Sequence, residues 1–89
     1  MTNVMVSMKI FPEEVTVDLN HLREQIKKSL PQDVSVRKFG EEPIAFGLVA
    51  IIAHVLVPED KSGELEKVET AIKNIKGVSN LETFMMQRW

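Results

Sequence analysis

Two short segments carry the residue types that could act on another molecule. Glu41-Glu42-Pro43-Ile44-Ala45-Phe46-Gly47, in mid-chain, reads as a turn that throws an aromatic outward, and Met86-Gln87-Arg88-Trp89 puts a cation at a strand's free end. Neither is a bond-making device. The serines Ser7, Ser29, Ser35, Ser62 and Ser79 form no arrangement of nucleophile, base and orienting group. Glu13-Glu14 and Glu41-Glu42 are adjacent carboxylates, but neighbours on a strand or turn point apart, so both pairs are expected at the solvated surface. His21 and His54 are too few and too distant for a metal site or proton relay; a solvated helix His and a packed strand His are expected instead. Gly40, Gly47, Gly63 and Gly77 lack phosphate-loop spacing, so no nucleotide site, metal or cofactor is expected on the chain itself.

Bulk properties narrow the classes further. The 89 residues, 44% apolar and without a low-complexity tract, are expected to form one domain over residues 1–89. Eleven basic and 13 acidic residues leave a net charge of -2, which disfavours non-specific phosphate binding and argues against direct nucleic-acid contact. No cysteine is present, so a disulfide framework, a thiol nucleophile and thiolate metal ligands are excluded. Met1-Thr2-Asn3 leads straight into an alternating pattern with no secretory signal, and the longest apolar run, Phe46 to Val57, is broken by His54 and far short of a membrane span. A cytoplasmic protein without membrane contact is expected.

These segments need a scaffold, and periodicity supplies one. Val4, Val6, Met8 and Ile10 alternate with Met5, Ser7, Lys9 and Phe11, predicting a strand with one strongly buried face. Asp18 can cap a helix carrying Leu19, Leu22, Ile26 and Leu30 on one side, with Pro31 ending it. Asp33 to Phe39 alternates more weakly, as an edge strand does, and Gly40 to Pro43 is expected to turn the chain. Phe46 to Val57 is apolar at both parities and reads as a central strand. Leu65, Val68, Ile72 and Ile75 mark a second helix, with Gly77 suited to its left-handed cap. Val78 to Arg88 closes the chain as a strand, with Leu81, Thr83 and Met85 on one parity and Glu82, Phe84, Met86 and Arg88 on the other. At least one of Met85 and Met86 is expected in the core.

Strand, helix, strand, strand, helix, strand is solved by two right-handed split crossovers. The predicted fold is an α+β, ferredoxin-like βαββαβ sandwich, a four-stranded antiparallel sheet with two helices on one face, strands one and three central. That superfold hosts many unrelated activities. An RNA-binding version would display aromatics on both central strands beside a Lys/Arg-Gly-Phe/Tyr type motif, which is absent.

At Glu41 to Gly47 and Met86 to Trp89 the chain resembles the exchange domain of the elongation factor 1-beta family, most closely its short archaeal form. Members typically carry Pro-Ile-Gly/Ala-Phe-Gly entering the long third strand, an acidic loop with Asp-Lys before the second helix, and a C-terminus like Met-Gln-Lys-Leu. Here these are Pro43 to Gly47, Glu59-Asp60-Lys61 and Met86 to Trp89, with family spacing across essentially the whole chain. The resemblance implies the same ferredoxin-like fold, and a translation elongation factor that promotes exchange of GDP for GTP on the GTPase elongation factor 1-alpha. It implies no substrate chemistry and no cofactor of its own, since the GDP and Mg²⁺ acted upon are bound to the partner. The free protein is expected to be a monomer.

Residue by residue, the resemblance gives Arg88 the exchange role, inserted near the partner's Mg²⁺ and phosphate site. The eukaryotic pattern has Lys there, and a planar guanidinium with fixed donors can clamp a carboxylate or phosphate at the rim where a slim ammonium reaches inside. Phe46, Gly47, Ala45, Gln87 and Trp89 fall to partner contact. Two readings of Phe46 stand side by side, an interface anchor and a core residue opening the third strand. Trp89 is either a further anchor or a cover for the sheet's edge, and Lys61 is read as part of a solvated loop. The rival from another class is a ferredoxin-like domain that senses a small molecule or oligomerises; it would be an obligate dimer whose ligand raises its melting temperature.

Overall fold

In the computed structural model, residues 3–59 and 63–88 are described. The order is β1 (Asn3–Pro12), α1 (Leu19–Ser29), β2 (Ser35–Pro43), β3 (Val49–Pro58), α2 (Glu64–Lys73) and β4 (Val78–Arg88). The strands form one antiparallel sheet in the order β2-β3-β1-β4, with both helices on one face. This is the expected ferredoxin-like sandwich, with the most apolar strands in the middle.

The alternation of β1 decides what is buried. Val6, Met8 and Ile10 point under the helices and pair with Val55, Ala53 and Ile51 of β3, and all six are at most 1% exposed. Leu22 and Ile26 of α1 and Val68 and Ile72 of α2 close the other side. Each such side chain stabilises the fold by roughly 1.5–3 kcal/mol relative to leaving it in water. Asp18 caps α1 as its sequence suggests, accepting the N–H groups of Asn20 at 3.0 Å and His21 at 3.3 Å. Among the described residues no helix is long and apolar enough to cross a membrane.

Three local expectations are corrected. Gly40 to Pro43 does not turn; β2 runs on to Pro43, which pairs with Val49, and the reversal sits at Ile44–Leu48. Long-range ion pairs hold that extra length. Glu41 bonds Arg23 of α1 at 2.6 Å on the helix side, and Glu42 bonds Lys9 of β1 at 2.7 Å on the open side. The third strand accordingly begins at Val49 rather than Phe46. Gly77 does have φ 103°, but the cap of α2 is Asn74; Gly77 lies in the following turn, where its carbonyl accepts the N–H of Glu13 at 2.8 Å.

Candidate functional site

The reversal between β2 and β3 is a tight three-residue loop, Ala45-Phe46-Gly47. The N–H of Ile44 donates to the Leu48 carbonyl at 2.8 Å, and the N–H of Leu48 donates to the Ala45 carbonyl at 3.2 Å. Phe46 has φ 61° and ψ 35°, and Gly47 has φ 77°, the two left-handed residues of a type I′ turn. Glycine occupies that conformation freely; a side chain there costs about 1–2 kcal/mol. Among the described residues Phe46 is the one non-glycine with positive φ. Its ring is also 94% exposed, so the strain is not offset by burial. The core reading of Phe46 is therefore wrong, because the turn points its ring away from the sheet. Ala45 and Gly47 are exposed beside it.

The other segment ends β4. Arg88 pairs with Val4 in the ladder, its side chain is 77% exposed, and its guanidinium donates to Glu59 at 3.3 Å, just past the end of β3. Strict alternation would put Arg88 opposite Leu81 and Thr83. The structure puts it on their side. Thr83 pairs with Met8 but Met85 pairs with Ser7, so Phe84 is the extra residue of a β-bulge, and everything after it changes face. Met86 and Arg88 thus sit on the helix side with Val6 and Val4, while Met85 and Gln87 look out over the open face with Ser7 and Met5.

The bulge also corrects the expectation for the methionines. Met85 is 49% exposed and Met86 55%, so neither is in the core. Met85 lies on the uncovered face, and Met86 lines an open groove of about 660 Å³ with Val4, Val57 and the first turn of α2. Phe84 is directed over the open face, with the Lys9 ammonium 6.0 Å from its ring centroid.

The two segments do not form one site. β3 and β4 are parallel to each other through the intervening β1, so Phe46 lies before the start of β3 and Arg88 at the far end of β4. Ten residues of strand separate them, roughly 30 Å at about 3.3 Å per residue. A partner touching both must present two separate surfaces.

Of two nearby residues, Glu59 is expected from sequence only in a solvated acidic loop outside the site, and Val15 escaped the sequence reading. Glu59 bonds Arg88 across 29 positions of chain, a pairing that no local pattern announces. Val15, in the loop after β1, is 61% exposed and meets the hairpin tip: a Cβ added to Gly47 would lie 3.7 Å from its Cγ1. An apolar residue amid Glu13, Glu14 and Thr16 was the available signal. His54 is half-buried, its Nδ1 sharing a 2.8 Å hydrogen bond with the buried Ser7 hydroxyl, and His21 is exposed on α1. Trp89, Asp60 and Lys61 lie outside the described residues.

Comparison with known proteins agrees with the sequence resemblance. A family model described as the EF-1 guanine nucleotide exchange domain matches residues 5–89. The chain is 38% identical over 88 residues to Elongation factor 1-beta of Staphylothermus marinus, covering 99% of this chain and 98% of that one. Identity is 41% to the protein of the same name from Sulfolobus acidocaldarius, over 97% and 96% of the two chains. For that of Aeropyrum pernix it is 42%, over 99% and 98%. Among solved structures, the C-terminal domain of the MgtC protein from Mycobacterium tuberculosis is similar with a TM-score of 0.60 and 16% identity, covering 92% of this chain and 85% of that one. That likeness is one of fold.

Proposed function

This chain belongs to the EF-1 guanine nucleotide exchange domain family, and from that premise we propose that it is a cytoplasmic factor promoting exchange of GDP for GTP on elongation factor 1-alpha. Arg88 is the acting residue. Entering near the partner's Mg²⁺ and phosphate site, its guanidinium competes with Mg²⁺ for the partner's carboxylates and disturbs the switch and phosphate-loop contacts. Losing the metal leaves the phosphates unscreened and weakens GDP. Coupling is reciprocal, so a factor that weakens GDP is itself weakened by it, and incoming GTP displaces the factor to complete the cycle. No bond of the nucleotide is made or broken.

The observation that supports this most is the state of Arg88: a fixed cation at the tip of the sheet, mostly in water, with one monodentate partner among the described residues. Phe46 at the far end supplies grip. A strained, exposed aromatic has little to offer the free fold, whereas a rigid ring on a rigid hairpin suits an apolar socket. Ala45 and Gly47 allow close approach there; Gln87 and Trp89 flank the acting residue. Two contacts about 30 Å apart let the tip add affinity at one surface while the cation acts at another.

The test is release of a fluorescent GDP analogue from Mg²⁺-loaded archaeal elongation factor 1-alpha under excess unlabelled nucleotide. Substoichiometric protein is expected to accelerate release catalytically. No acceleration with a cognate partner would overturn the reading, and dimerisation with a ligand-dependent rise in melting temperature would favour the sensing alternative.

A further inference from the structure

Beside the hairpin tip the loop Pro12–Asp18 offers a second apolar contact that the functional reading does not use. Val15 is 61% exposed, its Cγ1 would lie 3.7 Å from a Cβ placed on Gly47, and both residues border one small cavity, so it neighbours the hairpin tip rather than standing alone. A dimple of about 100 Å³ joins the two segments, bordered by Glu14, Val15, Val17, Gly47 and Val49.

The loop is firmly held, which makes the juxtaposition a property of the fold. The N–H of Glu13 donates to the Gly77 carbonyl at 2.8 Å, the N–H of Val17 donates to the Glu14 carbonyl at 3.3 Å, and a Cβ placed on Gly77 would lie 3.6 Å from Val17 Cγ1. Asp18 then caps α1.

Charge distinguishes this end from its surroundings. Glu41 and Glu42, at the base of the hairpin, are neutralised by Arg23 and Lys9. Glu13 and Glu14 are exposed, and among the described residues neither has an ion-pair partner. Pro12–Asp18 and Ile44–Leu48 together contain no Lys or Arg. Two apolar side chains therefore stand beside two carboxylates that no ion pair among the described residues engages.

We infer that Val15, with Glu13 and Glu14, extends the Phe46 tip into one docking surface, whose counterpart on the GTPase is an apolar socket bordered by Lys or Arg side chains. This rests on the exchange-factor reading and adds the partner's chemistry to it. The apolar pair gives affinity; the carboxylates steer encounter and fix orientation. Because this end is remote from Arg88, its loss changes how much factor is bound, leaving the rate of the bound complex alone.

The test measures affinity for elongation factor 1-alpha, together with KM and kcat of GDP release, for Val15→Ser, Glu13→Gln/Glu14→Gln and Phe46→Ala. Val15→Ser is expected to weaken binding about 3–10-fold and to raise KM with kcat unchanged. The double Gln variant is expected to bind about 2–5-fold more weakly at low salt, with a shallower salt dependence. All positions are exposed, so melting temperatures should stay at the wild-type value. If Phe46→Ala weakens binding while the Val15 and Glu variants bind like wild type, this inference is wrong and the exchange reading stands. If Phe46→Ala is silent but Val15→Ser is not, the loop surface stands and the role given to Phe46 falls; if both are silent, both fall.

Discussion

The guanidinium of Arg88 lies 3.3 Å from the Glu59 carboxylate, reaching over the first residues of β1 from one flanking strand to the other. The cation proposed to act is thus already engaged in the free protein. Handing it to a partner means exchanging an internal carboxylate for an external one, and an exposed ion pair of this kind is worth about 0–1 kcal/mol. Glu59→Gln should therefore raise exchange efficiency at low salt up to about 5-fold through KM, and the gain should vanish in an Arg88→Ala background. Stopped-flow release kinetics of the four proteins of that cycle check it; an equal gain without Arg88 would show that Glu59 acts by another route.

Arg88→Ala removes a side chain that is 77% exposed and is not part of the buried core cluster. Exchange should fall at least about 10-fold, equivalent to about 1.4 kcal/mol of lost transition-state stabilisation. Melting temperature should barely move, because surface substitutions stay within about 0.5 kcal/mol. Arg88→Lys should retain much of the activity, since the charge persists. Unchanged release by an Arg88→Ala protein that still binds the GTPase would refute insertion.

Phe46 combines φ 61° with almost complete exposure, so fold stability and the proposed partner binding pull in opposite directions at this one residue. Asparagine tolerates the left-handed region better than any aromatic. Phe46→Asn should stabilise the free protein by about 0.5–1 kcal/mol, a few degrees in melting temperature for a domain of this size, while weakening GTPase binding about 10-fold or more. Calorimetry and a binding titration on the same preparation would show both; a drop in melting temperature would mean that the ring supports the hairpin after all.

The surroundings of Lys9 shift its acidity. Its hydrogen bond to Glu42 holds the ammonium above its usual value of 10.5 against the opposing effect of desolvation, with lesser help from the negative charges of Glu42 and Glu82. The sign follows from the direction. A raised folded-state pKa means stability fully present below 10.5 and lost as pH climbs through the higher folded value. Glu42→Gln should consequently melt below wild type at pH 7 to 10, and the difference should shrink above that. Thermal melts at pH 8 and above pH 11 decide it, a constant difference counting against the ion pair.

Period-two alternation in β1 and β4, helical stripes in α1 and α2, and Asp18 before Leu19 made the βαββαβ order readable, because each pattern reports a local geometry and burial of one face. The turn at Gly40 to Pro43 was misplaced for the opposite reason. Gly and Pro are local breakers, and here partners from β1 and α1, Lys9 and Arg23, keep the strand extended past them.

For the site, residue types and their positions in the chain were legible: a Phe-Gly pair between two strands, and a basic residue next to last. Those features depend on composition and order, which a linear chain states outright. Tertiary structure alone decided where they point. One extra residue in the β1–β4 ladder at Phe84 moves Arg88 to the helix face, because side chains alternate with period two and a single unpaired residue inverts all that follow. Antiparallel pairing through β1 sends Phe46 and Arg88 to opposite ends of the sheet, and only the folded register brings Glu59 to Arg88 and Val15 to Gly47. Contacts between residues dozens of positions apart are set by the packing of whole elements, which no short segment encodes.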